Sequence, residues 1–167
     1  MSSLPVETVQ AIRPCLPRSL VASTLFLLGR LGWAAKTEAI EAMEAEGLSL
    51  YHYGVLSLLE ESPRQTQAEI AYALKVDRSQ LVGVLDSLEE RTLIERQRDP
   101  KDRRRHVVRL TADGKRQLAR LRSITERIEQ EFLAPLSAEE REQLHSLLFR
   151  LAAHSDARFV ANAPAAG

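Results

Sequence analysis

Cysteine is nearly absent. Cys15 is the only one in 167 residues, so neither an intramolecular disulfide framework nor a thiolate zinc site can be built. Aromatic residues are 5% of the chain, and seven glycines and seven prolines leave little turn material for a many-stranded β fold. Long apolar runs are missing too: the longest lies near Leu25 to Leu28, far below the ~20 residues of a membrane-spanning helix. Met1-Ser2-Ser3-Leu4-Pro5 has no basic start leading into an apolar signal core, so a cytoplasmic protein without membrane contact is expected. Catalytic signatures are lacking: there is no G-x-S-x-G elbow, no Walker loop and no Rossmann glycine fingerprint. His52, His106, His145 and His154 never pair at helical spacing with another ligand type, which argues for surface or capping roles rather than a metal site. No enzyme, cofactor or metal is expected. Net charge is also zero, 23 basic residues against 23 acidic, so only its distribution can point to a partner.

What is present favours helices. Leucine, alanine, glutamate and arginine dominate a chain that is 44% hydrophobic and 28% charged. A Pro-flanked irregular arm covers residues 1–16. A long helical stretch is expected from Arg18 to Ala45, with Leu20, Leu27, Leu31 and Ala35 near heptad spacing and Gly47 as its stop. Gly29 and Gly32 weaken that helix, or let another helix approach closely. A second helix spans Ser49 to Glu61 and ends at Ser62-Pro63. Thr66-x-x-Glu69 is a capping box opening a short helix with Ile70, Ala71 and Leu74 inward. Asp77 caps another helix, with Leu81, Val84, Leu85 and Leu88 on one face. Two short capped helices a few residues apart make a helix-turn-helix pattern, though any α-hairpin shares the spacing. Leu93 to Arg98 and Arg105 to Leu110 then alternate as strands around the turn formers Asp99-Pro100. Thr111 caps the next helix, with the seam Leu118, Leu121, Thr125, Ile128 and Phe132, until Pro135. A third capping box at Ser137 opens a last helix, and the tail from Asn162 is expected to be disordered.

The charge is strongly segregated. Residues 96–109 hold seven basic side chains against Asp99 and Asp102, a local balance of 7 − 2 = +5, whereas Thr37 to Glu61 contains six glutamates and no lysine or arginine. A solvated hairpin with spare arginines is the plain reading. Arginine on a projecting turn also suits phosphate or minor-groove contact, because the guanidinium is planar, always charged and weakly hydrated.

Asp99-Pro100-Lys101-Asp102-Arg103-Arg104-Arg105, followed by Val108-x-Leu110-Thr111-x-x-Gly114, resembles the wing and following helix start of the MarR (multiple antibiotic resistance regulator) family. The element order agrees over roughly residues 17–157. The resemblance implies a mainly α fold with a small β-hairpin wing, a winged helix-turn-helix flanked by N- and C-terminal dimerisation helices. It divides the chain into a helical dimerisation region (17–47 and 115–160), a DNA-binding module (48–114) and a disordered tail (161–167). It implies a transcriptional regulator, in the repressor sense, acting on double-stranded DNA. The helix from Arg78 to Glu90 would be the recognition helix, with Arg78, Ser79, Gln80 and Gly83 toward DNA and contact concentrated in the first turn, since Asp86 and Glu90 repel phosphate. Arg98, Lys101, Asp102, Arg103, Arg104 and Arg105 would form the wing contacts, with Asp102 holding one guanidinium or simply turning the chain.

Three positions depart from the family pattern. Thr92 stands where relatives carry glycine, so a differently shaped helix end is expected. The reactive cysteine of the peroxide-sensing branch would fall near Phe26, leaving Cys15 incidental. Gly54 replaces the acid of the urate-responsive branch. Family members often bind an aromatic ligand between the dimerisation helices and the DNA-binding module. Trp33, Tyr51, His52 and Tyr53, the one aromatic concentration, are the pocket candidates, core packing being the alternative. The seams Leu20/Leu27/Leu31 and Leu144/Leu147/Leu151 have little other core to cover, so a homodimer on a pseudo-palindromic operator is expected, half-sites ~10 bp apart. The rival reading is a winged-helix scaffold that contacts protein without an operator, and an enzyme with an unrecognised site is a weaker third.

Overall fold

The computed structural model describes residues 15–98 and 106–162. It divides into two compact units, one up to Lys36 and one from Thr37.

In the first unit the helix expected from Arg18 is interrupted. Helix α1 (Arg18–Val21) closes at Ala22, and α2 (Thr24–Ala45) restarts where the Ser23 hydroxyl accepts the Phe26 N–H at 3.3 Å. A serine that can cap competes with helix continuation, which is why the break falls there. Gly29 and Gly32 remain helical, with open space beside both. Leu20, Leu25, Leu27, Leu28, Leu31 and Trp33 are exposed.

The second unit holds the core. Its elements are the end of α2, α3 (Leu50–Glu61), β1 (Gln65–Thr66), α4 (Gln67–Leu74), α5 (Arg78–Glu90), β2 (Ile94–Arg98), β3 (His106–Leu110), α6 (Ala112–Phe132), α7 (Ala138–Ser155) and a 3-10 segment (Ala157–Asn162). Met43, Leu56, Leu59, Ile70, Leu81, Leu85, Leu88, Ile94, Leu118 and Leu121 are fully buried, so α3 to α6 and the strands share one apolar centre. The capping boxes at Thr66 and Ser137 and the caps at Asp77 and Thr111 form as their sequences predict. A further box was not anticipated: the Ser49 hydroxyl accepts the His52 N–H, and His52 Nδ1 accepts the Ser49 N–H at 2.9 Å.

Three helices end alike. The N–H of Leu48 reaches Met43 C=O at 2.9 Å, that of Val76 reaches Ala71 C=O at 3.1 Å, and that of Leu93 reaches Leu88 C=O at 2.9 Å. In each case the preceding residue is left-handed (Gly47 φ 67°, Lys75 φ 50°, Thr92 φ 60°) and the following apolar side chain is buried. This pairing satisfies the last carbonyls and plants a hydrophobic residue under the helix end. The expectation of a reshaped end at Thr92 is therefore corrected. The backbone keeps the left-handed form that suits glycine, because burying Leu93 outweighs the ~1–2 kcal/mol that a Cβ adds there.

The sheet has three antiparallel strands in the order β1-β3-β2, with Thr66 opposite Val107 and Arg96 opposite Val108. Strand β1, only two residues long, had no sequence signal, and it turns the expected hairpin into a small sheet. Val107 and Val108 are both buried, so β3 does not keep the alternation expected of Arg105 to Leu110. Thr111 roots this sheet: its N–H and hydroxyl both reach Leu93 C=O at 3.1 Å, and the hydroxyl also donates to Thr92 C=O at 2.7 Å. A Cβ on Gly114 would lie 2.0 Å from the Leu93 carbonyl oxygen, which gives the Thr111-x-x-Gly114 motif its physical reason.

Candidate nucleic-acid interface

Helix α5 presents one polar side. Leu81, Val84, Leu85 and Leu88 are buried, while Arg78, Ser79, Gln80, Val82 and Gly83 are exposed. No atom lies within 4 Å of a Cβ built on Gly83, so this face is open among the described residues. The Asp77 carboxylate accepts hydrogen bonds from the Ser79 N–H, at 2.8 Å, and from the Ser79 hydroxyl. Those two Ser79 bonds hold the Asp77 carboxyl below its ordinary range. Ser79 can therefore offer an incoming group only an acceptor. Gln80 and Arg78 carry the donors of this first turn.

Further along α5, Asp86 and Glu89 are paired. Arg96 of β2 places Nη2 2.6 Å from Asp86 Oδ1 and Nη1 3.2 Å from Glu89 Oε2, and its backbone N–H donates to Glu89 Oε1 at 3.1 Å. Arg96 was counted among the seven hairpin cations, but its charge is engaged within the module. Arg98 is exposed at the end of β2, and Arg109 donates to Gln97 Oε1 at 3.4 Å. Lys101, Asp102, Arg103, Arg104 and Arg105 lie outside the described residues, as does most of the arm at 1–16 and the end of the tail at 161–167.

The four pocket candidates have different surroundings. Trp33 is an exposed residue of the first unit, and Tyr51 is exposed on α3. His52 serves the α3 cap through Nδ1, and burial first, then the Arg91 guanidinium, pushes its imidazole below the ordinary value. Tyr53 packs against the core and lines an open crevice of about 450 Å³ between α3, α4 and the 3-10 segment. Gly54, Ser57, Leu58, Tyr72, Leu74 and Arg158 share that crevice, and Ser57 Oγ is buried without a hydrogen-bond partner among the described residues. Tyr72, Ser57 and Arg158 had escaped sequence reasoning, since nothing local marks residues that meet only in the fold.

Arg158 belongs to a knot of charge. It donates to Ala73 C=O at 2.8 Å through Nη1 and to both Asp156 carboxylate oxygens, while Lys75 Nζ reaches Asp156 Oδ2 at 3.2 Å. The Arg158 side chain, its N–H and the Lys75 ammonium hold the Asp156 carboxyl well below the usual carboxylate range.

Comparison with known proteins decides the family. The profile described as the MarR family matches residues 48–106. A putative transcriptional regulatory protein for the hcr operon of Thauera aromatica is 37% identical over 133 residues, covering 75% of this chain and 80% of that protein. The chain belongs to the MarR family. Among solved structures, the transcriptional repressor CouR bound to a 23-mer DNA duplex is 32% identical, with a TM-score of 0.71 over 81% of this chain and 96% of that one. PcaV of Streptomyces coelicolor, in complex with its natural ligand, is 32% identical, with a TM-score of 0.66 over 85% of this chain and 100% of that one. As a MarR protein the chain is a DNA-binding transcriptional regulator and not an enzyme. Its fold is mainly helical with a small winged sheet. No helix among the described residues is long and apolar enough to cross a membrane.

Proposed function

We propose that this MarR protein is a cytoplasmic, homodimeric repressor that reads a pseudo-palindromic operator and is released by a small aromatic ligand. The observation that carries the reading is the exposed first turn of α5, in a module whose strand β2 ends on the exposed Arg98. The side-chain donors of Arg78 and Gln80 suit phosphate and base edges, with Gly83 allowing close approach. Arg98, Lys101, Arg103, Arg104 and Arg105 supply the wing contacts, and Asp102 steadies one of them. The exposed leucines of α2, and separately those of α7, supply apolar surface for a second copy. The DNA-bound CouR relative and the ligand-bound PcaV relative support both halves of the reading. A volume of about 450 Å³ falls within the ~300–1,000 Å³ usual for ligand pockets, so the Tyr53 crevice accommodates a one-ring compound.

Retardation of the DNA upstream of the protein's own gene, over a salt series, tests this. Binding that weakens steeply with salt is expected. A chain that retards no such duplex at any salt concentration overturns the operator reading in favour of the protein-contact scaffold.

A further inference from the structure

We propose that Arg96 is a positioning residue for DNA recognition, which reaches across from strand β2 and offsets one of the three negative charges on the far half of α5. The proposal rests on α5 being the helix that enters the groove. From Ser79 to Glu90 that helix carries Asp86, Glu89 and Glu90 and no lysine or arginine. A duplex carries one phosphate charge per ~1.7 Å of axis. Bare carboxylates close to it are repelled across a Debye length of ~8 Å at physiological salt.

Arg96 covers two of the three. Asp86 and Glu89 are three residues apart and so project from one side of the helix. The guanidinium fork spans them, 2.6 Å to the first and 3.2 Å to the second, a geometry that the point charge of a lysine does not reproduce. The 3.1 Å bond from the Arg96 N–H to the remaining Glu89 oxygen adds a backbone tie. Arg96 also sits opposite Val108 in the ladder, two residues before Arg98. One side chain thus offsets part of the negative charge of α5 from the strand that ends at Arg98. Isolated surface pairs contribute little to stability. Its weight lies in what the two carboxylates do to DNA once uncovered.

The test uses full-length variants, measured by fluorescence anisotropy on a labelled duplex that the wild type retards, with urea unfolding alongside. Arg96→Gln is expected to weaken binding by about tenfold or more, since uncovered like charges oppose the complex, with little change in unfolding midpoint. Adding Asp86→Asn and Glu89→Gln to Arg96→Gln is expected to restore binding close to wild type, because no uncovered pair remains. Arg96→Lys should fall between. Should Arg96→Gln fail to fold, the triple variant decides alone: near-wild-type binding upholds the proposal and weak binding overturns it. Binding by Arg96→Gln that matches wild type also overturns it. So does a triple variant as weak as the single one, with a log K against log salt slope flatter by roughly 0.9 in both, because Arg96 would then be touching a phosphate itself. Failure of the underlying helix assignment looks different: Gln80→Ala and all the Arg96 variants would then leave binding unmoved.

Discussion

A methyl group placed on Gly114 would meet the Leu93 carbonyl oxygen at 2.0 Å and Leu110 Cδ1 at 2.7 Å. The Leu110 methyl can turn aside, but the Leu93 oxygen is backbone, so α6 or the Leu93 turn must move. Gly114→Ala is expected to destabilise the protein by about 3 kcal/mol, the upper part of the overpacking range, read as a lower urea midpoint. Thr92 offers the opposite case. Its φ of 60° burdens a side chain that glycine lacks, so Thr92→Gly should raise stability by roughly 0.5–1 kcal/mol. His52 makes the protein pH-sensitive in a defined direction. Its folded-state pKa lies below the unfolded value of 6.5, so the unfolded chain binds the extra proton first. Stability from this group is complete above the unfolded pKa and is lost as pH falls through it toward the lower folded value. Protonation also removes Nδ1 as acceptor for the Ser49 N–H. His52→Gln should flatten the fall in urea midpoint on acidification below pH 6.5, and an unchanged profile would show that another group controls it.

Among the elements, helix starts were the most legible. A hydroxyl or carboxylate followed at the right spacing by its partner is a local fact, so Thr66, Asp77, Thr111 and Ser137 could be read directly. The cap at Ser49 escaped because histidine stands where glutamate or glutamine usually closes the box. Strand β1 escaped because two residues carry no periodicity, and it exists only by pairing with β3. The wing motif was legible as a resemblance, yet composition counted Arg96 as a free cation; its ion pairs depend on how a helix and a strand meet. The first turn of α5 yields a further test. Gln80→Ala should relax preference at one base position by ~1–3 kcal/mol, measured across single-base operator variants. Asp77→Ala instead removes the cap and should cost about 1 kcal/mol of stability. Uniformly weaker binding by Gln80→Ala, with preference intact, would place that side chain on a phosphate.

At the scale of the molecule, the apolar seams remain to be covered. On α7, Leu147 is 47% exposed and Leu151 58%, apolar surface of the kind that marks an interaction site. The double variant Leu147→Glu and Leu151→Glu buries no new charge within the chain. It should therefore stay folded, sediment as a monomer at micromolar concentration and bind a two-half-site operator much more weakly than wild type. A variant that remains dimeric would move the interface elsewhere. The knot at Asp156 gives the end of the chain a mechanical meaning. Arg158 grips the last turn of α4 at Ala73, and Lys75, two residues before the Asp77 cap, leans on the same carboxylate. One carboxylate at the end of α7 is thus the knot that fastens the chain's last turns to the short connector between α4 and α5.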